Sequence, residues 1–259
     1  MDNFLAISSR ENPLVKLVIS LQKSAKTRQE NGSFVLEGLR ICEDAYDNNI
    51  EFDTLIVSET ALKKYPSEIE KFRKRAKSRI SVTDKLFEKM SDTVAPQGII
   101  VIGKIPDRQA VPNPKGRYIA LENIADPSNL GAVARTAEAL GVTGIIVTDN
   151  GCDPYSPKVL RASMGTILRL PIFICDDICA MANDMNMRTI GCVVDSDAAD
   201  ISKIDFSDGD ILVIGNEANG LCDRTKHKAD ILATIRMKGK AESLNAAAAA
   251  AIAMWEMVK

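Results

Sequence analysis

Residues 117–148 read RYIALENIADPSNLGAVARTAEALGVTGIIVT, and the fold is decided here. Residues 118–121 form a short apolar run of strand type. In the polar stretch that follows, Asp126-Pro127-Ser128 makes a turn, and Asp126 or Ser128 can cap a helix. The helix predicted over 129–140 closes on Gly141, a residue that tolerates the left-handed conformation past a helix end. Residues 144–148 are apolar again. Strand and helix alternating in this way argue for an α/β fold with a parallel sheet.

Toward the C-terminus the alternation continues. A helix is predicted over 157–165, and strands over 170–174, 189–194, 211–214 and 231–235. These strands are continuous apolar runs, as in a parallel sheet covered on both faces. An Ala-rich helix over about 244–257 ends the pattern, with Trp255 and Met257 read as core or dimer contacts.

Toward the N-terminus the alternation breaks at IPDRQAVPNPKG, residues 105–116. Prolines fix φ and remove donors, so this stretch reads as an extended linker. Before it lies a smaller α/β unit. It opens with a helical lead-in of about 30 residues, in which Leu14, Leu17, Val18 and Leu21 share a helical spacing. Strands follow at 33–36, 54–57, 80–82 and 98–102, with helices at 39–48, 67–77 and 85–90. The expected organisation is 1–104, a linker at 105–116, and 117–259.

Composition is that of an ordinary globular protein, with 46% hydrophobic and 26% charged residues. No apolar run approaches the ~20 residues that span a bilayer, and no signal peptide is read at the start, so the cytoplasm is the expected compartment. The six cysteines lack a C-x-x-C pair, and the single His227 does not complete a metal set with them, so no metal is expected. No G-x-G-x-x-G or Walker motif occurs. Net charge is −2, split into +2 over 1–104 and −4 over 105–259. The first part holds a basic run, 63–79, that includes Lys71, Arg73, Lys74 and Arg75. It reads either as a solvated helix face or as a phosphate contact.

Three polar, glycine-containing segments follow predicted strands, where open parallel sheets bind ligands. In the first, Arg135 lies six residues after Asn129, among alanines. A guanidinium there needs a partner, either a carboxylate or a ligand phosphate. In the second, LVIGNEANGL, Gly215 and Gly220 allow close approach to the backbone, and Glu217 either faces a pocket or accepts the turn's amide hydrogens. In the third, IRMKGKAESLN, Glu242-Ser243 offers a cap for the last helix, and Ser243 and Asn245 present short hydrogen-bonding groups.

These segments, N-I-x-D-P-x-N-x-G-x-x-x-R-T-A from Asn123, G-N-E-x-x-G-L from Gly215 and S-L-N-x-A-x-A from Ser243, resemble the SpoU (TrmH-like) branch of the SPOUT RNA methyltransferases. In the first half, G-x-F-V-L-E-G-L-R from Gly32 to Arg40 and A-P-Q-G from Ala95 are similar to the RNA substrate-binding domain of that family, a ribosomal-protein-L30e-like α/β/α unit. The resemblance implies a deep trefoil knot in the second domain and a homodimer formed through it. It implies S-adenosylmethionine as cofactor, held around Val194, Asp195, Gly215, Asn216, Ile235 and Leu244. It further implies transfer of its methyl group to a ribose 2′-oxygen of RNA, more in keeping with 23S-type ribosomal RNA than with tRNA. A catalytically silent RNA-binding paralogue is the other alternative. Arg135 is implied at the reacting hydroxyl, with Asn129, Glu217, Ser243 and Asn245 positioning it. Arg40, Lys71, Arg73, Lys74 and Arg75 are the expected RNA contacts.

Overall fold

The computed structural model describes residues 4–106 and 111–259; of the linker expected at 105–116, residues 107–110 lie outside the described residues. The chain divides into two compact units, Met1–Asp107 with Tyr155–Leu160, and Arg108–Pro154 with Arg161–Lys259. Residues 155–160 therefore count with the first unit although they follow it in sequence, and Tyr155 stacks on Phe34 there with ring centroids 5.1 Å apart.

The first unit runs β1 (Leu5–Ile7), α1 (Pro13–Lys23), α2 (Ala25–Asn31), β2 (Ser33–Glu37), α3 (Leu39–Asp47), β3 (Phe52–Ser58), α4 (Glu59–Lys64), α5 (Pro66–Arg75), β4 (Ser78–Val82), α6 (Asp84–Met90) and β5 (Ile99–Lys104). The sheet order is β1-β4-β3-β5-β2, with β1, β4 and β3 parallel and β5 antiparallel to both its neighbours. Alternation sorts the strand residues by face. Val35, Ile56, Ile80, Ile100 and Ile102 pack with Val15, Val18 and Leu21 of α1 and with Leu86, Phe87 and Met90 of α6. Elsewhere Tyr46 of α3, Phe52 of β3 and Phe72 of α5 form a ring cluster with centroids 6.0–6.3 Å apart. The lead-in is two helices rather than one. Ser24 adopts extended backbone, closes α1 through its amide, and caps α2 by accepting from Thr27 N at 3.1 Å.

After the first unit the chain runs β6 (Tyr118–Leu121), α7 (Pro127–Ala139), β7 (Gly144–Thr148), α8 (Pro157–Ala162, counted with the first unit as far as Leu160), β8 (Ile172–Cys175), α9 (Ile178–Asp184), β9 (Arg188–Cys192), β10 (Ala199–Asp200), β11 (Asp210–Ile214), α10 (Asp223–Lys228), β12 (Ile231–Thr234) and α11 (Ala246–Val258). The second unit's seven strands are all parallel, in the order β10-β12-β9-β11-β6-β7-β8. One buried cluster joins Tyr118, Ala120, Ile146, Phe173, Ile211 and Val213 of the sheet to Ile178 and Ala182 of α9. α7 and α11 pack against each other, and α11 also meets β11.

Gly131 lets α7 pack closely against residues 162 and 163. A Cβ there would lie 2.5 Å from Ala162 Cβ and 2.7–2.8 Å from backbone atoms of Ala162 and Ser163. The helix predicted to 165 stops at Ala162, because Met164 (φ 51°) and Gly165 (φ 80°) turn left-handed and begin a 3₁₀ turn at Thr166–Leu168.

Candidate active site

The C-terminal ends of β9, β11 and β12 open into one cavity of about 460 Å³. Its walls come from 192–195 at the end of β9, 214–221 at the end of β11, residues between 232 and 249 on both sides of the β12–α11 connection, and Lys226 of α10. Of the residues expected around a donor, Val194, Asp195, Gly215, Asn216, Ile235 and Leu244 all line it. Glu217 and Ser243 line it as well. Val194 and Leu244 present 68% and 38% of their surface, so the rim offers apolar area that the chain itself leaves uncovered.

The middle wall is a closed loop. Asn216 and Gly220 exchange backbone hydrogen bonds of 3.0 and 2.9 Å, and the Asn216 carboxamide oxygen accepts from Ala218 N and Asn219 N. The glycine at 215 is required by this loop and not by a ligand: its Cβ would sit 2.1 Å from Gly220 C. With the turn's own amides taken by Asn216, the Glu217 carboxylate reaches across to the first motif. It accepts from Ala125 N at 3.1 Å, Asp126 N at 3.2 Å and Asn129 Nδ2 at 2.7 Å. Asn129 Oδ1 in turn accepts from Asn245 Nδ2 at 3.0 Å. One chain of hydrogen bonds thus links all three motifs. Partial burial pushes the Glu217 pKa up, but the donors from Asn129, Ala125 and Asp126 outweigh it and hold the carboxyl below its ordinary value.

Asn245 has a second task. Its Oδ1 caps α11 by accepting from Ala247 N and Ala248 N, so the helix starts at Ala246. The cap expected at Ser243 is therefore displaced by two residues, and Ser243 is free to face the cavity. Asp126 is the cap of α7, accepting from Ser128 N at 2.8 Å.

Arg135 differs from its expectation in a useful way. It lies on the exposed side of α7 and not among the alanines that pack inward, so its charge remains in water. Among the described residues no carboxylate pairs with it, and it is not part of the cavity wall. Of the two partners considered for it, the internal carboxylate is absent.

The first unit's expected RNA contacts divide. Lys71 is paired with Asp47 at 2.9 Å and lies over the Tyr46 ring. Arg73 is paired with Glu70 at 2.6 Å, and Arg75 stacks on Tyr46 with 3.8 Å to the ring centre. Arg40 and Lys74 are exposed, and among the described residues neither forms an ion pair or a ring contact. The basic run is thus largely matched by its own neighbours.

Sequence reasoning passed over Glu122, Asn123, Thr148 and Thr225. Asn123 occupies φ 54°, a conformation asparagine tolerates better than most residues. Its amide donates to Thr148 Oγ1 at 2.8 Å, and its carbonyl accepts from Asn216 Nδ2 at 2.8 Å. An asparagine two residues past the end of a strand was the available signal. His227 is exposed on α10, its Nδ1 2.6 Å from the Asp223 carbonyl oxygen. Among the described residues no cluster of metal-ligating side chains forms, and no helix is long and apolar enough to cross a membrane.

Comparison with known proteins follows the same two-part division. Residues 116–255 match the SpoU rRNA Methylase family, and residues 12–101 match the MRM3-like substrate binding domain. A tRNA/rRNA methyltransferase of Synechocystis is 30% identical over 97% of this chain and 92% of its own length. The 23S rRNA (guanosine(2553)-2′-O)-methyltransferase of Bacillus subtilis is 26% identical over 97% of this chain and 98% of its own. The AdoMet-bound rRNA methyltransferase of Sinorhizobium meliloti superposes with a TM-score of 0.85 at 30% identity, covering 98% of this chain and 97% of that one. The chain matches both family models, with the second and third motifs on the cavity wall and the first tied to them by hydrogen bonds, and it belongs to the SpoU rRNA methylase family.

Proposed function

We propose that this protein transfers a methyl group from S-adenosylmethionine to a ribose 2′-hydroxyl of RNA, with 23S-type ribosomal RNA as substrate. The observation that carries the reading is the convergence of three strand-end loops on one cavity, tied by the Glu217–Asn129–Asn245 hydrogen bonds to a helix that carries the exposed Arg135. Ribosomal RNA is favoured because the Bacillus and Sinorhizobium relatives, which span nearly the whole chain, are rRNA methyltransferases. Those bacterial relatives also favour a cytoplasmic site of action.

The cavity suits the donor. Its volume falls in the range of small-molecule sites, about 300–1,000 Å³. Its rim supplies Val194 and Leu244 as apolar surfaces for an adenine, and Asp195 lies within reach of a ribose. When bound, the donor supplies an electrophilic methyl carbon whose leaving group is a neutral thioether. The protein's part is to place the attacking oxygen about 3 Å from that carbon and to stabilise its developing charge. Arg135 binds the neighbouring phosphate and the nascent alkoxide; its guanidinium stays protonated and does not act as the base. Asn129, Glu217 and Asn245 fix α7 against the donor loops, and Ser243 presents its hydroxyl to the cavity. In the first unit, Arg40 and Lys74 contact the RNA backbone, since both are exposed and neither forms an ion pair among the described residues.

Two architectural statements belong to the same proposal. The second unit forms a deep trefoil knot, a reading supported by the family and by a chain that leaves β12 near one edge of the sheet and returns to β11 and α7 as α11. Two copies associate through the outer face of α11, where Ile252 and Trp255 are 41% and 57% exposed while Met257 is core. Arg135 then faces a cavity it does not itself line.

The test is transfer of labelled methyl groups to ribosomal RNA and to ribosomal particles from cells lacking this gene. Label in 2′-O-methylated ribose supports the reading. Arg135→Ala is expected to lower the rate by at least about a hundredfold while S-adenosylhomocysteine binding is kept. Label in tRNA alone would correct the substrate, and donor binding without transfer to any RNA would overturn the reaction.

A further inference from the structure

Glu122 is a carboxylate of which only 5% is exposed, at the end of β6, and the reaction as derived above gives it no task. It is held by neutral donors alone. Oε2 accepts from Cys222 N at 2.6 Å, and Oε1 accepts from the Cys222 thiol at 3.3 Å and from the Thr225 hydroxyl. Among the described residues no lysine or arginine forms an ion pair with it. Burial of a charge on these terms is costly unless each donor is well placed.

All three donors lie just after the loop that forms the cavity's middle wall. Cys222 follows Leu221 and caps α10, its sulfur accepting from Thr225 N at 3.4 Å. α10 itself places Lys226 on the cavity wall. The loop's entry is fixed by Asn216 Nδ2 on the carbonyl oxygen of Asn123. Its exit is fixed by Glu122. The two anchors are adjacent residues, Glu122 and the Asn123 that opens the first motif, and the backbone there is itself pinned by Glu122 N on Ile214 O at 2.8 Å.

We infer that Glu122 is a positioning residue for the methyl donor: by holding Cys222 and Thr225 it sets the exit of the loop at 215–221, and it governs donor affinity and not the chemical step. The inference rests on the reading that this cavity takes S-adenosylmethionine. Glu122→Gln keeps the shape but offers one carbonyl oxygen to donors that had two, so the exit of the loop loosens.

The experiment measures S-adenosylhomocysteine binding by calorimetry, and KM for the donor beside kcat, in the full chain and in Glu122→Gln and Thr225→Val. For Glu122→Gln, dissociation constant and donor KM are expected to rise about tenfold, the effect of one charge-assisted hydrogen bond. Turnover at saturating donor is expected to stay within about twofold. Thr225→Val, which deletes a single donor, is expected to weaken binding about threefold. Unchanged affinity in both variants, or a fall in kcat matching the rise in KM, overturns the assignment. A lowered melting temperature with affinity intact would make Glu122 a purely structural residue and overturns it too. If the unaltered chain binds no donor, the function proposed above fails with it; if it binds and the variants bind equally well, only the role of Glu122 fails.

Discussion

Glu217 does two things that its sequence position does not separate. It lines the donor cavity, and it ties the second motif to the first through Ala125, Asp126 and Asn129. Because those donors favour the ionised form, its folded pKa lies below that of an ordinary glutamate. A group of this kind stabilises the fold above its unfolded pKa, and the contribution is lost as pH falls through the folded value. Glu217→Gln is therefore expected to be less stable than the native chain by a constant amount between about pH 8 and pH 6, the difference shrinking below about pH 4.5. Urea midpoints across that range check it, and a difference that grows toward low pH would contradict it. Asn129, Glu217 and Asn245 were legible from the sequence as members of motifs. Their mutual bonds were not, since these join residues 88 and 116 positions apart and no periodicity reports contacts at that range. The exposure of Arg135 was missed for a related reason. Alanine neighbours in sequence suggested burial, but on a helix the adjacent residues point elsewhere.

Elements with a clear apolar run or helical spacing were readable, down to the short α6 and α8. β6, α7, β7, β11 and α11 have apolar runs or helical spacing long enough to declare themselves. α4 and α9, of six and seven residues, and β10, of two, show no such pattern, while the stretch of α10 reads as either a loop or a short helix. They are held by packing and by caps such as Asp177 on Ala180 N and Ser58 on Ala61 N. α7 shows what the sequence conceals about packing: Gly131 reads as a mild weakness in a helix, yet it lets the residues after α8 come within touching distance. Gly131→Ala removes that weakness and still is expected to destabilise the protein by about 1–3 kcal/mol, because the added methyl meets backbone. Thermal or urea unfolding decides the sign, and a gain in stability would show that 162–163 can yield.

At the scale of the molecule, the α/β alternation and the parallel sheet of the second unit were legible because fully covered strands leave continuous apolar runs. The order of those strands was not, for β9 lies between β11 and β12 and only long-range pairing sets it. Nor does sequence position reveal that residues 155–160 count with the first unit. The outer face of α11 carries the prediction at this scale. Trp255→Asp places a charge where an aromatic surface stands exposed. It is expected to shift the protein to monomers in sedimentation and to abolish methyl transfer, while each monomer melts within about 0.5 kcal/mol of the native stability. A variant that stays dimeric, or a native chain that is monomeric, would refute the proposed interface. The sheet has one more consequence, for how the protein is made. The cavity's walls stretch in sequence from Cys192 to Ala249, and α11 must pack on α7, which emerges from the ribosome long before it. A growing chain can thus lay down β6, β7 and β8 side by side and still have nowhere to hold a small molecule. Competence for the donor arrives late and all at once, so a ribosome stalled ahead of Ser243 carries a well-begun domain that is chemically inert.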